Sequence, residues 1–150
     1  MKIAYCIDSI TAWGGIERVT LSKANALAEI DGNIIYFFVV TNKGIPVFPV
    51  NSKIQIINLD VDYDAAKGLA RLKSEIVFRR KKYEHKVKLI GKLNSIQPDI
   101  VVSTGQAEKH FIRSLQLNYN PVLIKEIHFS SDFRLIEASS FKERVYANIA

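Results

Sequence analysis

Cysteine is nearly absent from this sequence: Cys6 is the only one. A single thiol excludes an internal disulfide and a cysteine-based metal site, and its place inside an apolar run marks it as a small packed hydrophobe. No apolar run reaches the roughly 18 residues that a membrane-crossing helix needs. Met1-Lys2-Ile3-Ala4-Tyr5 enters strand-like sequence at once, without the layout of a signal peptide, so the expected location is cytoplasmic. Low-complexity tracts, internal repeats and flexible linkers are missing as well. What remains is a chain of 150 residues, 48% of them hydrophobic, which suits one soluble globular domain with a substantial core.

Several signatures of common chemistries are lacking too. There is no Gly-x-Gly-x-x-Gly for a dinucleotide and no Gly-Lys-Ser/Thr P-loop, which removes support for NAD binding and ordinary NTP hydrolysis. No Gly-x-Ser-x-Gly elbow occurs. His85 and His110 have no companion at ligand spacing, so they read as surface residues and no metal is expected. Acidic residues are scarce in one stretch only. Residues 64–94 hold ten Lys or Arg against Asp64, Glu75 and Glu84, a net of +7 that exceeds the +6 of the whole chain. The rest is therefore close to neutral, and the charge describes one basic element, not a nucleic-acid-binding surface.

Apolar runs recur at 2–8, 33–41, 53–59, 99–103 and 121–127, mostly continuous, as strands covered on both faces are. Between them lie helical patterns. One is expected over 15–30, with Leu21, Ala24, Leu27 and Ala28 on one face and Asp31-Gly32 as its stop. A second spans 65–95, interrupted by Arg79-Arg80-Lys81-Lys82 and open to division into two helices there; Pro98 follows its end. Further helices are expected over 107–117 and 136–150, and 41–52 reads as an irregular loop. Strands alternating with helices predict an α/β, Rossmann-like, doubly wound parallel sheet.

Between the first strand and first helix stands Trp13-Gly14-Gly15-Ile16-Glu17-Arg18-Val19. A glycine pair there lets the backbone approach a ligand and leaves N–H groups at a helix N-terminus, where an anion is stabilised. The same pair also serves a tight strand-to-helix turn. Arg18, on the first helical turn, is placed to reach a phosphate or to pair with a neighbouring acid. Trp13 offers a face for stacking on a sugar ring or for packing beneath the loop. Ser103 and Thr104 follow the fourth strand, at the edge where such sheets bind ligands, and serve either acceptor hydroxyls or a helix N-cap. His128 closes the fifth apolar run at that edge, as a ligand contact or as a histidine bonded to a backbone carbonyl.

Residues 13–28, with Gly14-Gly15-Ile16-Glu17-Arg18-Val19 followed by Leu21 and Ala24-Asn25-Ala26-Leu27-Ala28, resemble the opening of the GT-B glycosyltransferases of family 4. A weaker likeness lies at His128. The resemblance implies the N-terminal, acceptor-side domain of a retaining enzyme that moves a sugar from a nucleotide-sugar donor to a glycan or lipid-linked acceptor. It implies that Gly14 and Gly15 approach the donor diphosphate and that His128 bonds the transferred sugar or the acceptor. The family's two glutamates separated by seven residues are not found here, and they normally lie in a C-terminal donor-binding domain. Because the sequence ends in helical pattern at Tyr146–Ala150, the expectation is a truncated chain, residues 1–150 forming one domain whose donor half is absent. No cofactor is implied beyond the nucleotide sugar as substrate.

Two other function classes remain open: a non-catalytic Rossmann-like module for a nucleotide or phosphate, and half of a nucleotide-sugar epimerase. The basic segment 67–92 likewise admits a solvated helix face or, because Val77, Phe78, Tyr83 and Leu89 interleave with its cations, adsorption to an anionic membrane surface.

Overall fold

The structure, a computed structural model, describes residues 1–105, 107–108 and 111–126. Its strands are β1 (Lys2–Ile7), β2 (Ile34–Val39), β3 (Gln55–Asn58), β4 (Ile100–Ser103) and β5 (Val122–Lys125). Two helices connect them, α1 (Gly15–Ala28) and α2 (Arg71–Ile96), with short 3-10 turns at Tyr63–Ala66 and Ile112–Ser114. All strand pairs are parallel, in the order β3-β2-β1-β4-β5. This is the doubly wound arrangement the sequence predicts, with β1 at its centre and the reversal of strand order between β1 and β4.

The period of two along each strand divides the core into two layers. Ile3, Tyr5, Ile7, Phe37 and Val39 pack toward Leu21, Ala24 and Ala28 of α1. Their alternates Ala4, Cys6, Tyr36, Phe38 and Val101 pack toward Leu89 and Leu93 of α2. Tyr5 and Phe37 are register partners and stack with ring centroids 5.4 Å apart. The irregular loop 41–52 is fastened to α1 by Asn25, whose amide donates to the Pro49 carbonyl at 2.9 Å while its oxygen accepts from the Asn51 N–H at 2.9 Å.

Helix α2 differs from expectation in an instructive way. It runs unbroken through Arg79–Lys82, because those cations face solvent or pair along the helix: Arg79 with Glu75 at 2.8 Å and Lys81 with Glu84 at 3.0 Å. The break falls earlier, between the first 3-10 turn and Arg71, where Gly68 takes φ +75. The helix ends at Gln97 in the left-handed region, one residue before Pro98. At 26 residues it is about 39 Å long, against about 13 Å for the four-residue strand β4 that follows. Lys2 donates to the Ile96 carbonyl at 2.9 Å, which pins the end of α2 at the amino edge of the sheet. Its first half therefore overhangs the carboxyl edge.

The helix expected over 107–117 is not what the described part of that segment forms. Only the Ile112–Ser114 turn is helical, and the chain is extended again at Leu115. Phe111, Ile112, Leu115, Leu117 and Tyr119 all pack on the α2-side core, a set too widely spread in angle for one helix face. The helix expected over 136–150 lies outside the described residues. Among the described residues no helix is long and apolar enough to cross a membrane.

Candidate functional site

Where β1, β2, β3 and β4 end, the chain turns away from the sheet and leaves a cleft of ≈ 560 Å³. Asp8, Ser9 and Thr11 line it after β1, Val40, Thr41 and Lys43 after β2, Asp62, Tyr63 and Asp64 after β3, and Ala107 after β4. Phe78, from the overhanging half of α2, closes one side. The position is the carboxyl edge at the point where strand order reverses, the usual ligand crevice of open α/β sheets. Its chemistry is carboxylate, hydroxyl and aromatic, with Tyr63 and Phe78 inclined at 50° and 5.5 Å apart.

Behind the cleft lies a buried polar cluster. Glu108 has no solvent exposure, yet its Oε1 accepts from the Ser103 hydroxyl at 3.0 Å and from the Gly105 N–H at 2.8 Å. Asp8 accepts from the Ala107 N–H at 3.1 Å. A Cβ on Gly105 would lie 2.5 Å from Glu108 Oε2 and 2.7 Å from Asp8 Oδ1, so glycine is required for both carboxyls to close over this turn. Burial, then the charge of Asp8, pushes Glu108 up to about 7. On the α2 side, His85 is buried, meets the Tyr63 hydroxyl through Nδ1 at 3.1 Å and sits edge-on to Phe111. Burial lowers it to about 4, against the opposing pull of Asp8. The reading of His85 as a surface residue is thus corrected: its ring fills the gap between α2 and the core. His110 lies outside the described residues. Burial and the nearby Glu108 raise the Cys6 thiol well above its ordinary range, consistent with an inert packed side chain.

The residues singled out from the sequence fall in different places. Gly14 is the extended N-cap of α1 and Gly15 its first residue, with open space where a Gly15 Cβ would point. The Glu17 carboxylate folds back over Gly14, where a Cβ would collide with it, so α1 carries its own negative group at its N-terminus. Arg18 is exposed and makes no ion pair among the described residues. Trp13 is 84% exposed and touches Phe48 edge-on at 5.5 Å. Ser103 and Thr104 are buried, and their hydroxyls are spent inside, Ser103 on Glu108 and Thr104 on the Cys6 carbonyl at 2.9 Å. Neither lines the cleft, which corrects their reading as direct ligand contacts or as an N-cap. His128 lies outside the described residues.

None of Trp13, Gly14, Gly15, Arg18, Ser103 and Thr104 is among the residues that line the cleft. Asp8, Thr41 and Asp62 each stand just past a strand end, and that positional signal was available. The convergence of Asp8 with Glu108 was not, since the two are a hundred residues apart. Among the described residues no group of three or more His, Cys, Asp or Glu is arranged to hold a metal ion.

No protein-family model matches the sequence, and no curated protein matches it. Solved structures do. One is the lipopolysaccharide outer core galactosyltransferase WaaB in its apo form, 17% identical, TM-score 0.52, with 97% of this chain and 37% of that one covered. Another is WaaG, a glycosyltransferase involved in lipopolysaccharide biosynthesis, 17% identical, TM-score 0.46, with 67% of this chain and 23% of that one covered. The chain thus spans well under half the length of either. It has the Rossmann-like α/β fold found in glycosyltransferases of GT-B architecture.

Proposed function

We propose that this chain is the acceptor-side half of a retaining glycosyltransferase, with the cleft at the carboxyl edge receiving a glycan and a second domain presenting the nucleotide sugar. The observation that carries this reading is the lining itself: Asp8, Asp62 and Asp64 to accept from hydroxyls, Ser9, Thr11 and Thr41 to donate or accept, and Tyr63 and Phe78 to face a sugar ring. Gly14, Gly15 and Arg18 would meet the donor diphosphate once Glu17 swings aside, adding backbone donors where leaving-group charge develops. Trp13 stands exposed beside them as a stacking surface, and His128 is proposed to bond the transferred sugar. Ser103 and Thr104 act one step behind, by fixing the floor of the cleft. Catalysis would rest on positioning and charge neutralisation, with no metal.

A lipid-linked acceptor is the form this reading favours. Leu72, Ile76, Tyr83 and Val87 are exposed and lie within about 60° of one another on α2, flanked by Lys73, Arg79, Arg80 and Lys86. Such a stripe on the arm beside the cleft suits an anionic leaflet surface. The test is nucleotide release by the full-length protein, supplied with a panel of nucleotide hexoses and lipid-linked glycans. Release that depends on acceptor, and falls at least tenfold in Asp62→Asn/Asp64→Asn, is expected. Nucleotide binding without transfer to any acceptor would favour a non-catalytic module instead.

A further inference from the structure

We propose that His85 holds the Tyr63 ring as a fixed stacking face of the cleft: its Nδ1 takes the hydrogen of the Tyr63 hydroxyl from behind, and the ring turns a face to the ligand. His85 touches no ligand itself and is a positioning residue that works only through Tyr63. That the occupant is a sugar, packing the apolar face of a pyranose on this ring, rests on the function proposed above; the hold of His85 on Tyr63 does not.

Geometry supplies most of the case. Tyr63 opens the first 3-10 turn and lines the cleft. That turn is capped by Asp62, whose carboxylate accepts from the Asp64 N–H at 3.1 Å. The Tyr63 ring meets Phe78, which also lines the cleft, with centroids 5.5 Å apart and planes inclined at 50°. Its hydroxyl meets His85 Nδ1 at 3.1 Å. Phe78 and His85 stand seven residues apart on α2, so they share one face of the helix, roughly 10 Å from each other along its axis. Helix α2 thus holds one tyrosine at two points, ring and hydroxyl. His85 is itself firmly seated, being buried and edge-on to Phe111 at 5.1 Å.

The surroundings set the direction of the bond. Burial lowers His85 to about 4, against the opposing pull of Asp8, so the ring is neutral near physiological pH and one of its nitrogens is bare. Burial, then the carboxylates of Asp8, Glu108 and Glu84, pushes the Tyr63 phenol up to about 12, so it keeps its proton. A donating phenol satisfies both groups: its hydrogen meets a bare Nδ1, the one partner of that hydroxyl among the described residues, and the imidazole carries its own hydrogen on Nε2. The hydroxyl hydrogen is then engaged behind the ring, and the ligand meets the ring itself. An aromatic face that needs no ordering when the ligand arrives binds more tightly than a mobile one.

The test uses NMR on the 150-residue chain, labelled with 15N in histidine and 13C in the tyrosine rings. The proteins compared are wild type, His85→Leu, His85→Asn, Tyr63→Phe and the double variant His85→Leu/Tyr63→Phe. In the wild type near neutrality, His85 should carry its hydrogen on Nε2 and none on Nδ1. The opposite tautomer would reverse the bond and overturn the assignment. Relaxation of the Tyr63 ring carbons should report a rigid ring in the wild type, a looser one in His85→Leu, and recovery in His85→Asn, whose side-chain oxygen takes the place of Nδ1. A ring equally rigid in His85→Leu would show that packing alone holds it, and the positioning role is wrong. Leucine fills the buried site with a side chain of similar size, and retained amide dispersion shows that the fold survives. Methyl α-glucopyranoside and methyl α-galactopyranoside, at millimolar concentration, should bind about three- to tenfold more weakly to His85→Leu and to Tyr63→Phe, with no further loss in the double variant and recovery in His85→Asn. Losses that add in the double variant would mean that His85 acts apart from Tyr63, and the proposal fails. If neither hexoside binds the wild type while the ring measurements hold, His85 still positions Tyr63 and the glycan reading falls.

Discussion

Glu108 and His85 depart from their ordinary titration ranges in opposite directions, and stability should record both. Folded Glu108 titrates at about 7, so between roughly pH 4.5 and 7 the native state holds a proton that the unfolded chain has released. Stability from this group falls as pH rises through that window and then levels. Folded His85 titrates at about 4, so the unfolded chain gains a proton first as pH falls below roughly 6.5. Stability from this group falls as pH drops. Each slope integrates to about 3 kcal/mol, and in the wild type they oppose each other between about pH 4.5 and 6.5. Glu108→Gln removes one of them. Urea midpoints of that variant should climb from pH 4.5 to 6.5 and then stay level, while the wild type is flat over that range and declines toward pH 7. Parallel profiles for the two proteins would show that Glu108 does not carry a displaced proton. None of this was legible in the sequence, where Glu108 is one acid in a polar stretch and the contact with Asp8 spans a hundred residues.

At the scale of elements the sequence reading was better served. Continuous apolar runs located all five strands: β1, β2 and β4 are buried on both faces and need no alternation to betray them, while β3 and β5 are edge strands whose apolar residues stay largely exposed. Helix α1 followed from its apolar stripe, and ended two residues short of Ile30. Two helical readings fared worse: the helix expected over 107–117 did not form in its described part, and the break left open in 65–95 does not fall at the four cations. A run of four cations looks like a corner, yet a helix that overhangs its sheet has solvent on most sides, and Glu75 and Glu84 absorb part of the charge. That overhang also makes a prediction about α2 itself. The 150-residue chain should pellet with vesicles rich in anionic lipid, and pelleting should weaken severalfold as salt rises from low to physiological strength. Replacing Lys73, Arg80 and Lys86 with glutamine, or Leu72 and Ile76 with serine, should each reduce it further. Binding to neutral vesicles that ignores salt and these substitutions would remove the membrane assignment.

At the scale of the molecule, the chain covers 37% of the galactosyltransferase WaaB, to which its fold is similar. If the donor site lies on a second domain, residues 1–150 alone should show no sugar transfer and only weak nucleotide-sugar affinity. Titration calorimetry is expected to give dissociation constants of about a millimolar or weaker, the range of a few unassisted polar contacts. Micromolar affinity for any nucleotide sugar would place the donor site on this half. Element order and sheet direction were readable because they follow from local periodicity and the handedness of crossovers. The cleft was not, because its lining is assembled from four strand ends and one helix wall.

Strand β1 precedes the other four strands in the chain and sits in the middle of the sheet. It pairs on one side with β2, some thirty residues later, and on the other with β4, whose Val102 lies opposite Tyr5. During synthesis the central strand therefore waits with one open flank until nearly a hundred further residues have left the ribosome. That delay gives the nascent chain a high contact order and an exposed Tyr-Cys-Ile edge, the combination that slows folding and invites wrong partners.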